Sequence, residues 1–279
     1  MEKGIPGRFV AALGFGGKVR VMVVVADGPA EELRARHDLM RNAGMFAAEA
    51  LVASVLMAAH IKGEERLTVN VESEAPEFSF VADVDSDGSI RGRLRPNRLV
   101  PGRTFTGVIS VMKSLGRKEL YRGVADVTGE RIEGALQRYL TASQQVDARV
   151  RVDATHDTHY RIVSAGGLLV ERLPHMDPDE FQALVLPALQ GDLRDILTEF
   201  AFGSLGGQPV EVLGSRELVF RCSCSRERVV AMIKALGADE IRGMIEDQGK
   251  AEVTCHYCSE TYALAGAELE ALLVELQGN

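Results

Sequence analysis

All four cysteines of this 279-residue chain fall within 37 positions, as Cys222-Ser223-Cys224, then 30 intervening residues, then Cys255-His256-Tyr257-Cys258. The first 221 residues have none. A secreted disulfide scaffold would spread its cysteines through the fold, so this clustering points to a reducing compartment. Four soft thiolates complete the shell of a tetrahedral divalent zinc and leave no position for a reactive water, which makes the expected site structural rather than hydrolytic. The stretches Glu217 to Arg221 and Ala251 to Thr254 read as strands leading into the two pairs, and Glu260 to Leu264 as a strand leading away. The 58 residues from Cys222 to Asn279 are near the size at which a domain needs a metal or disulfides to fold. Two alternatives stay open: thiols without a ligand, and a thioredoxin-like redox motif at Cys255 and Cys258, which would require a helix directly after the first cysteine. His256 is a spare donor beside a complete set.

The remainder of the chain reads as an α+β protein of ordinary composition, 46% apolar and 26% charged. Val19 to Ala26 is a β-branched run closed by a turn at Asp27, Gly28 and Pro29, and Met45 to His60 is a core helix. That apolar segment, taken to Ile61, falls short of the roughly 20 residues needed to cross a bilayer. Leu67 to Val71, Phe78 to Phe80 and Ile90 to Arg95 suggest a β-meander, followed by strands at Thr104 to Met112 and Tyr121 to Val127. An amphipathic helix is expected over Glu130 to Gln144, then strands at Val146 to Val152, Tyr160 to Ser164 and Leu168 to Leu173. From Pro174 to Arg221, prolines and glycines interrupt two short helical patterns, Asp179 to Leu189 and Leu193 to Phe202. Arg226 to Leu236, Asp239 to Asp247 and the leucine-rich tail read as three more helices. The expected organisation is therefore an N-terminal mixed sheet-and-helix core (1–173), a partly helical connector (174–221) and a small C-terminal zinc-binding domain (222–279).

Other features carry less. Asp153, His156, Asp157 and His159 could ligate a second metal only across a turn, and a polar turn between strands is the simpler reading. Gly14, Gly16 and Gly17 resemble a fragment of a phosphate loop without its βαβ context and are expected to form a flexible connection. Ser110 and Lys113 have S-x-x-K spacing without companion motifs. Arg91, Arg93, Arg95, Arg98 and Arg103 form the best basic group, expected to be a solvated sheet face. The net charge of −8 disfavours binding to nucleic acid or an anionic membrane. The apolar stretch Phe9 to Phe15 lacks the cleavage signal of a secretory leader.

At the cysteines the chain resembles a known family. Arg221 to Val229, Leu236-Gly237, Cys255 to Cys258 and Tyr262 are similar to the redox-switch domain of the 33 kDa chaperonin family, heat-shock holdases. His60 to Thr68, Tyr121-Arg122-Gly123, Ala135-Leu136, Tyr139-Leu140, Ser143-Gln144-Gln145, Ala165 to Leu169 and Leu173-Pro174 extend the similarity through the core. The resemblance implies a cytoplasmic, ATP-independent chaperone and no catalytic cycle. It implies one Zn2+ held by Cys222, Cys224, Cys255 and Cys258, with 1–173 as substrate-binding and dimerisation core and 174–221 as a metastable connector. Peroxide with heat, or hypochlorous acid, would join Cys222 to Cys224 and Cys255 to Cys258, expel zinc and unfold the switch. Unfolded clients, downstream folding chaperones and, once oxidised, a second copy of the chain are the implied partners. The client-binding candidates are Phe181, Leu184, Leu186, Leu189, Leu193, Ile196, Leu197, Phe200 and Phe202. The rivals are a zinc-ribbon module that binds nucleic acid or protein, and a thiol oxidoreductase.

Overall fold

The structure is a computed structural model that describes residues 7–97 and 102–277. The chain divides into two compact units that meet between Arg221 and Cys222.

The first unit opens with a hairpin that the glycine-rich sequence disguises. β1 (Gly7–Gly14) pairs antiparallel with β2 (Val19–Val25), from Arg8 opposite Val25 to Gly14 opposite Val19. The turn between them places Phe15, Gly16 and Gly17 at φ of 51°, 65° and 81°, and the Gly17 amide donates to the Gly14 carbonyl at 3.1 Å. Glycine enters that region without steric cost, so the expected flexible connection is an ordered turn. Asp27, Gly28 and Pro29 likewise open a helix, α1 (Asp27–Arg36), rather than only closing a strand. Proline in a first helical turn gives up an amide that would have had no partner there.

α2 (Arg41–Met57) continues through a 3-10 turn at Ala58–His60 and is buried along most of its length. The combined Arg41–His60 segment is, by length and composition, apolar enough to cross a membrane, longer than the apolar run suggests, yet 83% of its most apolar window is buried in this fold. A helix apolar on all sides belongs in a core. β3 (Glu65–Ala75), β4 (Glu77–Asp85) and β5 (Ser89–Arg95) form the expected meander. β6 (Thr104–Leu115) returns to pair with β3, and β7 (Lys118–Arg131) pairs with β6. Ser110 and Lys113 both lie within β6, Lys113 two residues from its end. α3 (Ile132–Tyr139) ends in a π turn at Leu140–Gln144. β8 (Ala148–His156) and β9 (Ile162–Arg172) follow, the latter one continuous strand where the sequence suggested two.

The connector is more ordered than its prolines and glycines suggest. α4 (Pro178–Ala188) and α5 (Leu193–Ala201) are followed by a two-residue-per-strand hairpin, β10 (Ser204–Leu205) and β11 (Gln208–Pro209), and by β12 (Glu211–Phe220). Asp177 and Asp192 cap the two helices by accepting from the amides of Asp179 and Arg194, each at 2.8 Å. β12 enters the main sheet, whose order is β7-β6-β3-β4-β5-β12-β1-β2-β9-β8.

Strand alternation separates two apolar layers. Met22 and Val24 face the larger one with α1, α2 and α3, where Phe46 meets Phe78, Phe80 and Phe105 edge-on at ring-centroid distances of 4.7, 6.3 and 5.8 Å. Val19, Val21 and Val23 face the other way, with Leu168 and Val170, and are covered by α4 and α5.

The second unit contains α6 (Arg226–Leu236), α7 (Ala238–Gln248), the hairpin β13 (Lys250–Thr254) and β14 (Thr261–Ala265), and α8 (Gly266–Gln277), close to the expected elements. Its buried apolar core consists of Val229, Ile233, Ile241, Ala251, Leu264, Leu269 and Leu272.

Candidate metal and redox centre

Each cysteine pair sits on a short irregular segment beside an element that fixes it. Cys222 and Cys224 precede α6, whose cap Ser225 accepts from the Arg228 amide at 3.3 Å. The Arg228 guanidinium donates back to the Ser223 carbonyl at 2.6 Å, and Arg226 donates to the Ala263 carbonyl at 2.9 Å, which ties the segment to β14. Cys255 and Cys258 lie in the β13–β14 turn. There the Cys255 amide donates to the Glu260 carbonyl at 2.8 Å, the Ser259 amide donates to the Cys255 carbonyl at 2.9 Å, and Ser259 takes φ of 57°.

These constraints bring all four Sγ atoms within 4.8 Å of one another. The contacts Cys222 to Cys255, at 3.7 Å, and Cys224 to Cys258, at 3.3 Å, run across the two pairs. Tetrahedral zinc with bonds of about 2.3 Å separates its sulfurs by about 3.8 Å, so the cluster fits that ion. The thiols are free rather than disulfide-bonded; Cys258 is buried and the other three are partly buried. Burial pushes the Cys258 thiol well up from its ordinary pKa, and the neighbouring thiols push the same way. Burial also raises Cys224, against the opposing hydrogen bond from the Tyr262 hydroxyl, which donates to Cys224 Sγ at 3.2 Å. Four convergent thiol donors of this kind could hold a soft metal ion. His256 is exposed. The residues after Cys258 form β14 rather than a helix, unlike the thioredoxin arrangement.

No other described group of three or more histidine, cysteine or carboxylate residues converges as these four do. Asp157 is occupied by its own turn, its Oδ1 accepting from the His159 and Arg161 amides at 2.8 and 3.0 Å and its Oδ2 from Arg161 Nε at 2.8 Å. The basic group is broken up. Arg91 Nη2 lies 2.7 Å from Asp83, Arg103 donates to Glu49 and Asp153, and Arg98 lies outside the described residues. Glu49, a polar interruption in an apolar helix, is fully buried and also accepts from Arg131 at 2.7 Å. Burial raises its pKa, and the two arginines oppose that shift.

Of the connector candidates, Phe181, Leu189, Leu193, Ile196 and Phe200 are buried in the layer over β1, β2 and β9, and Leu197 packs against it. Leu186 is half-buried, Leu184 is exposed, and Phe202 is 87% exposed. Sequence reasoning missed the other half of this layer: Ala12, Phe15, Val19, Val21, Val23, Leu168 and Val170 present a continuous apolar sheet face beneath α4 and α5.

Fold and site together define a two-unit α+β protein whose C-terminal unit carries a four-thiol centre able to hold a metal ion. The Hsp33 protein family matches residues 8–265, and the chain belongs to that family. It is 31% identical to the 33 kDa chaperonin of Bacillus licheniformis, over 96% of this chain and 99% of that one. To the 33 kDa chaperonin of Bacillus subtilis it is 29% identical, over 94% and 97%. The crystal structure of the 33 kDa chaperonin (heat shock protein 33 homolog) of Thermotoga maritima has the same fold, with a TM-score of 0.84 at 23% identity over 98% of this chain and 99% of that one.

Proposed function

We propose that this chain is a cytoplasmic, ATP-independent holdase, idle while its four thiolates hold one Zn2+ and active once they are oxidised. The observation that carries the reading is the placement of four convergent thiols in a unit whose described residues bury just seven apolar side chains in their core cluster. Bound zinc keeps Cys222, Cys224, Cys255 and Cys258 deprotonated and supplies about 10 to 16 kcal/mol to a fold with little else to hold it. Each disulfide forms as two thiolates give two electrons to one peroxide, which takes up two protons and leaves as two waters. One sulfur first becomes a sulfenic acid, and its partner then displaces hydroxide from it. Two such events leave no thiolate ligand, and the second unit loses the interaction on which its fold depends.

Cys222 to Cys224 and Cys255 to Cys258 are the pairings this reading assigns. In a four-sulfur cluster every thiol has three neighbours, so mass spectrometry of the oxidised protein decides among them. Loss of the second unit frees the end of the connector. Phe181, Leu189, Leu193, Ile196, Leu197 and Phe200 then leave the sheet face they cover, and both apolar surfaces become available to unfolded clients. Leu184, Leu186 and Phe202 add to the connector's share. Dimerisation on oxidation and transfer of clients to folding chaperones complete the proposed cycle. The test is light scattering of an unfolding client with reduced and oxidised protein, read alongside zinc release. Protection should accompany zinc loss, and equal protection by both forms would remove the switch. Replacing several connector residues with Ser should weaken protection by the oxidised form while zinc binding is unchanged.

A further inference from the structure

β12 is an unusual central strand. It lies between β5 and β1, yet of its ten residues only Leu218 is buried, and Glu211 to Ser215 are all exposed, with Val212 at 59% and Leu213 at 54%. Its hold on the sheet is mainly through the main chain. It pairs antiparallel with β1 from Gly7 opposite Leu218 to Leu13 opposite Glu211, across a bulge at Ala11/Ala12, and parallel with β5 only at Ser89 and Ile90. Gly88 marks how closely it passes: a Cβ there would lie 1.9 Å from the Glu217 carbonyl oxygen. The strand also carries a half-buried cation. Arg216 stacks over the Phe9 ring at 4.5 Å and donates to the Ala58 carbonyl at 3.1 Å, while its Nε has no partner and no carboxylate pairs with it among the described residues. Burial lowers its pKa, the sign of a charge held at a cost. β12 ends at Phe220, two residues before Cys222.

From this we infer that β12 is a resident strand occupying a client site: when it leaves, the edge of β1 takes up an extended segment of an unfolded protein in antiparallel register. The inference rests on the chaperone reading and assigns part of client capture to main-chain pairing rather than to apolar contact. A strand that departs leaves unpaired amides and carbonyls along β1, and an extended peptide is the ligand that satisfies them. The slot makes few side-chain demands, since one buried leucine is all that β12 itself supplies, and this suits clients of unrelated sequence. The neighbouring sheet face under α4 and α5 would hold the apolar side chains of the same segment.

The test uses the full-length protein and two fluorescein-labelled peptides copying residues 210–220, one plain and one N-methylated at the amides that face β1. The plain peptide should bind the oxidised protein at least about tenfold more tightly than the N-methylated one, and neither should bind the reduced, zinc-loaded protein. Hydrogen exchange at residues 7–14 should accelerate on oxidation and slow again when client is added. Equal binding of the two peptides overturns the inference, as does binding of neither, including the case in which two copies exchange β12 and fill each other's slots. β1 amides that stay protected after oxidation overturn it too. An oxidised protein that fails to suppress client aggregation refutes the underlying chaperone reading instead, a result recorded separately by light scattering.

Discussion

Phe181→Ala should convert the reduced protein into a chaperone without touching its thiols. Phe181 is fully buried in α4, packed in the layer formed with Val19, Val21, Val23, Leu168 and Val170, and the Arg149 guanidinium covers its ring at 5.7 Å. Truncating a buried phenylalanine costs about 3 to 5 kcal/mol, the lost transfer of the ring plus the cavity it leaves. The penalty falls on docking of the connector, because undocking α4 relieves it while the larger layer around α2 keeps the remainder of the unit folded. At about 1.4 kcal/mol per factor of ten, the undocked population should rise roughly one hundredfold to several thousandfold. Hydrogen exchange over residues 178–188 should accelerate correspondingly in the reduced, zinc-loaded variant, which should keep one zinc per chain. Light scattering of an unfolding client should then show protection without oxidant. The oxidised variant should be no better than the unaltered protein, since its undocking is already complete and it has lost one apolar ring. Fast exchange in α4 with no gain in reduced-state protection would refute the link between connector release and client binding. Unchanged exchange would refute the claim that this ring holds the connector down.

Cys258→Ser should abolish stoichiometric zinc binding and unfold residues 222–277, seen as loss of their amide dispersion in NMR, while signals from the first unit persist; a folded second unit without metal would contradict the dependence proposed for it. Tyr262→Phe removes the hydroxyl that donates to Cys224 Sγ at 3.2 Å and should speed peroxide-driven zinc release about threefold to tenfold, because a hydrogen bond to a thiolate tempers its nucleophilicity; an unchanged rate would show that Cys224 is not the sulfur attacked. Partial desolvation works to raise the Asp157 pKa, but the Arg161 and His159 amides and the Arg161 guanidinium together pull it down to about 2. Its ionised form therefore stabilises the β8–β9 turn above its ordinary value near 3.8, and that stabilisation is lost as pH falls toward about 2. Asp157→Asn should lower the melting temperature at pH 6 and converge with the unaltered protein near pH 2; a pH-independent difference would contradict the assignment.

The four thiols were legible because metal-ligand spacing is a local property of sequence, and the flanking strands and helices of the second unit are short and strongly patterned. The meander and α2 were legible for the same reason. β1 was not, since its apolar run leads into glycines that resemble a loop, and only the positive φ of Gly16 and Gly17 in the folded chain shows that they close a hairpin. α1 was hidden by Asp-Gly-Pro, which serves a turn and a helix start equally well. β12 was only half visible: Glu217 to Arg221 reads as strand, but Glu211 to Ser215 is exposed on both sides of the pleat and has no alternation to detect. The ion cluster that explains Glu49 draws Arg103, Arg131 and Asp153 from three separate strands or loops, so nothing in sequence spacing announces it.

The two units differ in what their folds rest on, and under the proposed function that difference would let oxidation act selectively. The first has a ten-stranded sheet with apolar layers on both faces, so its stability is spread over many contacts. The second has, among its described residues, one two-stranded hairpin and a core of seven buried apolar residues, at a size where burial alone gives marginal stability. Its surface pairs, such as Arg226 with Glu268 and Lys234 with Glu275, are largely solvent-exposed and add little. A metal contribution of about 10 to 16 kcal/mol would be an increment for the first unit; for the second it is comparable with the whole stability of a domain. On the proposed reading, chemistry confined to four sulfurs would unfold the second unit outright, up to the boundary between Arg221 and Cys222. Just before that boundary runs β12, the strand of the large sheet with the fewest buried side chains to hold it in place.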